Sequence, residues 1–231
     1  MLLCLWCGWS TFGIFIFYTW QFFEELHDAS PLLPSAWYST NGVSGVAATI
    51  LTGIFLERIG AARAMVLALL AFLVGIILIA TAPIDQSYWF QTFWCLVVIP
   101  FGMDISFPAA TVIISDQFPS KRQGIGASLV NTVVNYSISL GLGFAGTVEV
   151  HVNHGGQTRQ DVLAGYRGAF YMGIGFAALG TGLSLVFWIY TLLRSQNGGG
   201  VQDREIKKMR REISVGSAAS ADPERLISTE I

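Results

Sequence analysis

The stretch YWFQTFWCLVVIPFGMDISFPAATVIIS, Tyr88–Ser115, carries a single charged side chain, Asp104. About 20 apolar residues suffice to cross a hydrocarbon layer roughly 30 Å thick, so this stretch reads as a membrane-spanning helix. A carboxylate at bilayer depth costs on the order of 2.5–3.5 kcal/mol on insertion scales, which marks Asp104 as a candidate on a substrate or proton pathway. The plainer alternative is an acid near a water-filled helix end, tied to a partner. Asp104, Pro108, Thr111 and Ser115 recur at spacings of three and four and therefore share one face. Pro100 and Pro108 each remove a backbone donor. Such breaks are tolerated in membrane helices where the backbone is buried or lines a cavity, or they serve helix packing alone.

Outward from this stretch the same pattern repeats. Hydrophobic residues make up 53% of the 231, and charged residues only 12%, about half the share of a soluble domain. Six spans are expected, near Leu2–Phe23, Ser35–Leu56, Ala64–Ala82, Tyr88–Ser115, Gly124–Val148 and Gly168–Leu193. The breaks between them carry charge, Pro or Gly. The expected class is all-α: a polytopic six-helix bundle over residues 1–193, followed by a cytoplasmic, largely disordered tail over 194–231. Short alternating segments of a β-barrel are not seen. Met1-Leu2-Leu3-Cys4-Leu5-Trp6 lacks the basic start of a signal peptide; a span that opens at residue 1 reads as one cut from a longer chain.

Lys and Arg set the direction. Arg58, Arg63, Lys121, Arg122 and the tail residues Arg194, Arg204, Lys207, Lys208, Arg210 and Arg211 fall on one side if the spans alternate. The other side holds Arg159 and Arg167 against Glu24, Glu25, Asp28, Asp85, Glu149 and Asp161. Both termini are therefore expected in the cytoplasm, with the His151–Tyr166 loop outside. In the tail, Asn197-Gly-Gly-Gly200 reads as a hinge. The charged Asp203–Glu212 stretch suits either an anionic leaflet or solvent. Asp222-Pro-Glu-Arg-Leu226-Ile227 fits an acidic dileucine sorting pattern.

Other polar residues stand out against the apolar background. Ser128, Asn131, Asn135 and Ser139 share a face of span five and either bind helices to one another or meet a solute. Tyr18 and Gln21, near the outer end of span one, suit an interfacial belt or solute contact. Small residues recur at Ser139 and Gly143, at Gly45, Thr49 and Gly53, and at Gly173, Ala177 and Thr181, and read as packing surfaces. Cys4, Cys7 and Cys95 lie in apolar spans and read as small hydrophobes. His151 and His154 sit in a wet loop and are expected to be solvated, so no metal is expected. No nucleophile–base pair or phosphate loop marks an enzyme, no cofactor is implied, and no basic, aromatic-interleaved stripe suggests nucleic acid.

The turn after span two reads Gly53-Ile-Phe-Leu-Glu57-Arg58-Ile-Gly60-Ala-Ala-Arg63. Gly60 permits a tight turn, and a charge cluster at a helix end suits a gate that breaks and reforms; the alternative is an ordinary positive-inside loop. Gly53, Glu57, Arg58, Gly60 and Arg63 resemble the signature loop of the major facilitator superfamily; Ala61 and Ala62 depart from it where basic residues are common. Asp104-Ile-Ser-Phe-Pro-Ala-Ala, Gln123-Gly-Ile-Gly-Ala-Ser-Leu-Val-Asn-Thr-Val-Val-Asn-Tyr-Ser and Gly141-Leu-Gly-Phe-Ala-Gly-Thr-Val-Glu look like the fungal drug:proton antiporters of the aminotriazole-resistance type.

That resemblance implies a carboxy-terminal six-helix half, spans one and four lining a central cavity, and alternating access between two bundles. It also implies efflux of small molecules or drugs coupled to protons. On this reading Asp104 takes up and releases a proton as its exposure alternates, with Tyr18, Gln21, Asn131 and Asn135 as further pathway candidates. The partners expected are the lipid bilayer, a solute, protons, and a second six-helix bundle from an upstream half or a homodimer. The plasma membrane is expected rather than the vacuolar membrane. The alternative left open is a truncated, non-transporting membrane protein or an interaction subunit.

Overall fold

In the computed structural model the backbone is described for residues 1–26, 32–84 and 86–220, and side chains for 1–25, 32–84 and 86–193. Asp28, Asp85 and the Asp222–Ile227 pattern lie outside the described residues, as do the side chains of the tail's basic residues. Six helices follow in order: α1 (Leu2–Gln21), α2 (Leu32–Ile59), α3 (Ala61–Ala80), α4 (Gln91–Ser115), α5 (Gln123–Val152) and α6 (Arg159–Ser220). A π-helical turn, Phe22–Leu26, extends α1, and a 3₁₀ turn, Ser120–Arg122, precedes α5. No strand occurs among the described residues. All six helices are long and apolar enough to cross a membrane. The chain divides into two units, residues 1–188 and 189–231; the second is helical as far as Ser220.

Within the first unit α3 packs along α4, α1 along α5, and α2 along α4. The most apolar window of α1 is 67% buried, against 17% for α2, so α1 runs through the bundle and α2 lies at its rim. The core joins Leu5, Ile14 and Phe15 of α1 to Leu69, Phe72 and Ile76 of α3 and Ile99 of α4. Cys4, Cys7 and Cys95 are buried and free, and the Cys95 thiol donates to the Gly75 carbonyl at 3.1 Å. Helix α4 continues through both Pro100 and Pro108.

Close backbone approach depends on small residues, as helix association in lipid requires. A Cβ on Gly141 of α5 would lie 2.8 Å from the Ser10 backbone of α1. Beside it, the Ser10 hydroxyl donates to the Ser137 carbonyl at 2.9 Å. The crossing therefore uses Ser137 and Gly141 rather than the Ser139 and Gly143 pair expected from spacing; Ser139 is exposed, and open space surrounds Gly143. Gly173 of α6 does face the core, with its Cβ position 3.2 Å from Ile76.

Two helix boundaries carry local chemistry. Between α2 and α3 a single residue, Gly60, turns the chain at φ 84° and ψ 142°, a region that side chains with a Cβ rarely adopt. The start of α6 lies nine residues before the apolar run that marks span six. There the Thr158 amide and hydroxyl donate to Asp161 Oδ2 at 3.0 and 2.7 Å. The Asp161 amide donates back to the Thr158 hydroxyl at 3.1 Å. This reciprocal cap satisfies donors that a helix start leaves free.

Candidate functional site

Asp104 sits midway along α4 and turns toward α2, half-buried. Its Oδ2 is shut off from solvent without a hydrogen-bond partner. That oxygen lies 3.4 Å from where Gly45 of α2 would carry a Cβ, so glycine there leaves room for the carboxylate. One turn further along α2, the Thr49 hydroxyl is within reach of the carboxyl group.

From this point a cavity of about 540 Å³ opens between α2 and α4 and runs to the turn at Gly60. Its polar wall is Asp104, Thr49, Thr52 and Glu57, with Gly53 and Pro108 between them. Thr52 is committed to its own helix, its hydroxyl donating to the Ala48 carbonyl at 2.8 Å. Thr49 and the two carboxylates remain for an occupant. The α2 residues follow the helical period: Gly45, Thr49, Gly53 and Glu57 are four apart and form one face. In sequence Gly45, Thr49 and Gly53 read as a packing surface, and Gly53 and Glu57 as part of the gating loop. Placed opposite Asp104, this face lines a largely apolar recess that holds two acids and, among the described residues, no base. The acid does not project from the outer surface of the bundle into open space.

The turn itself is split by this geometry. Glu57 and Gly60 line the cavity, whereas Arg58 and Arg63 do not; Glu57, Arg58 and Arg63 are all exposed. The other candidates lie elsewhere. Tyr18 is 2% exposed, and its hydroxyl donates to Glu149 Oε2 of α5 at 2.9 Å. The Tyr166 hydroxyl of α6 donates to Glu25 Oε2 at 2.5 Å and lies 3.4 Å from Gln21 Oε1. The two tyrosine rings meet at 5.8 Å. Tyr18 and Gln21 thus belong to a network tying α1, α5 and α6, and neither lines the Asp104 cavity. Glu25, Glu149 and Tyr166 were not singled out in sequence, because their pairing joins positions more than a hundred residues apart.

Asn131 and Asn135 are exposed on α5. The Asn135 amide turns back to the Asn131 carbonyl at 2.9 Å, and Ser139 donates to the Asn135 carbonyl at 3.2 Å. The stripe faces away from this bundle. His151 is exposed beside the Thr147 carbonyl. Among the described residues no group of three His, Cys, Asp or Glu side chains assembles.

Six helices long and apolar enough to cross a membrane define an integral, multi-pass α-helical membrane protein. The family follows from comparison: the major facilitator superfamily model matches residues 1–223, and the chain belongs to that superfamily. It is 50% identical over 196 residues to a low affinity ammonium transporter of Saccharomyces cerevisiae, covering 85% of this chain and 38% of that protein. It is 42% identical over 189 residues to an efflux pump of Aspergillus terreus, covering 82% and 36%. With the aminotriazole resistance protein of S. cerevisiae it shares 37% over 196 residues, covering 85% and 36%. The chain therefore spans a little over a third of the length of these relatives. No solved structure matches it.

Proposed function

We propose that this chain forms part of a transporter that exports small molecules by alternating access, driven by proton entry, with Asp104 as the proton-bearing group. The observation that carries this reading is the Asp104 carboxylate in a cavity that runs to the Gly60 turn. A carboxylate that meets water in one state and apolar neighbours in the other binds and releases a proton as the bundle rocks. Each charge moved through the field is worth about 2.3 kcal/mol per 100 mV. Glu57, Arg58 and Arg63, at the cytoplasmic end by the distribution of Lys and Arg, supply the contacts that exchange as the cavity opens and closes.

A second six-helix bundle completes the unit. The exposed polar stripe through Asn131 and Asn135 favours this, since amides in a membrane need polar company. The 194–231 tail lies on the cytoplasmic side, and the plasma membrane is the site. A second reading, that the solute is ammonium, is favoured by the name of the 50%-identical relative and by a recess with two acids and no base.

The test is purified protein in proteoliposomes under an imposed pH gradient, alone and with a candidate partner bundle. Asp104→Asn is expected to abolish uphill flux of a drug-like amine while leaving the folded protein intact. Proton-coupled flux that persists in this variant overturns the role of Asp104. Ammonium in place of the amine separates the two solutes, and flux in neither assembly favours an interaction subunit.

A further inference from the structure

A second cavity, about 810 Å³, lies between the end of α5 and the start of α6. It shares no lining residue with the Asp104 recess. Val148 and Val152 of α5 and Leu163 and Met172 of α6 make its walls apolar, and its polar groups include Arg167 and Gln160. Among the described residues no carboxylate lines it. Arg167 is half-buried, and its Nε is shut off from solvent with no hydrogen-bond partner among the described residues. That nitrogen is closed to a ligand as well as to water, so an occupant of the groove meets Arg167, which lines it, at the Nη groups of its guanidinium.

We propose that this groove holds one glycerophospholipid, its phosphodiester on Arg167 and an acyl chain along the apolar walls. The two Nη groups at the end of the guanidinium form a planar fork that matches two phosphate oxygens. The walls exclude a free, fully hydrated anion as the natural occupant, because they offer it nothing in exchange for its water. The depth also suits a lipid headgroup. Arg167 lies eight residues into α6, about 12 Å along the axis. A basic side chain so near a span's end reaches the headgroup layer. Tyr171, which also lines the groove and is 58% exposed, is an aromatic of the kind enriched at that depth. The site is independent of the transport reading.

The test uses the 231-residue chain, purified in detergent and stripped of lipid. It is titrated with palmitoyl-oleoyl phosphatidylglycerol, with the diacylglycerol bearing the same chains, and with inorganic phosphate, and bound lipid is counted by native mass spectrometry. Wild type is expected to retain one phosphatidylglycerol and neither control. Arg167→Gln should weaken retention on the order of tenfold, the loss of about one charge-assisted contact, and Arg167→Lys by less, since the charge remains and the fork does not. Ala164→Trp, which fills the groove without touching the charge, should weaken it similarly and decides the matter if Arg167→Gln does not fold. Unchanged retention in both variants overturns the proposal. So does equal retention of diacylglycerol, or displacement of the lipid by inorganic phosphate at matched concentration.

Discussion

Asp104 Oδ2 and the α-carbon of Gly45 face each other across α4 and α2 so closely that a methyl group on Gly45 would touch the carboxylate at 3.4 Å. That distance is ordinary contact, so Gly45→Ala should fold normally. Gly45→Leu, by contrast, fills the recess around the acid. On the proposed transport reading it is expected to remain in the membrane and to lose at least tenfold in proton-coupled flux, about 1.4 kcal/mol of coupling. Flux measured beside expression level checks this, and a fully active Leu variant would show that the recess is not used.

At the Gly60 turn, space and conformation can be separated. Nothing lies within 4 Å of a Cβ on Gly60, yet its φ is 84°. Gly60→Ala should therefore destabilise through backbone strain alone, by about 1–3 kcal/mol. Thermal unfolding in detergent reads the shift, and an Ala variant as stable as wild type would mean that the turn readily adopts another conformation.

The Tyr18–Glu149 bond links helices far apart in sequence. Tyr18→Phe keeps the ring in its packed place and removes the donor. A cost of about 1–3 kcal/mol is expected for leaving the half-buried carboxyl acceptor without its donor. In a double-mutant cycle with Glu149→Gln, the coupling should account for most of that loss; additive effects would indicate that the bond contributes little.

Two glycines on α5, two residues apart, should behave oppositely. Gly141→Leu drives a side chain into the Ser10 backbone and should cost 1–3 kcal/mol or more, roughly the scale of overpacking. Gly143→Leu enters open space and should be tolerated by the bundle. Protease resistance of the two variants in detergent distinguishes them; equal tolerance would contradict the α1–α5 crossing.

The sequence made the spans legible because runs of apolar residues long enough to cross a bilayer have few other uses. Five of the six helix starts fall within a few residues of the hydropathy edges. The sixth does not, since the first turns of α6 are polar and only the Thr158–Asp161 cap marks them. Asp104 was legible as the one charge in its span. Its surroundings were less so. Helical spacing shows that Gly45, Thr49, Gly53 and Glu57 share a face but not what that face meets. The same limit applies to Asn131 and Asn135: periodicity groups them without indicating whether the stripe turns inward, and in lipid an outward face can be as apolar as an inward one. Glu25 and Glu149 carried no local signal, because their tyrosine partners come from another helix.

The three thiols, Cys4, Cys7 and Cys95, are sealed in the bundle at 2% exposure or less. A maleimide reagent should therefore find almost nothing to modify in the native chain. Cysteines introduced one at a time at exposed positions such as Glu57 and Asn135 would then report water access site by site, with no need to rebuild the interior first.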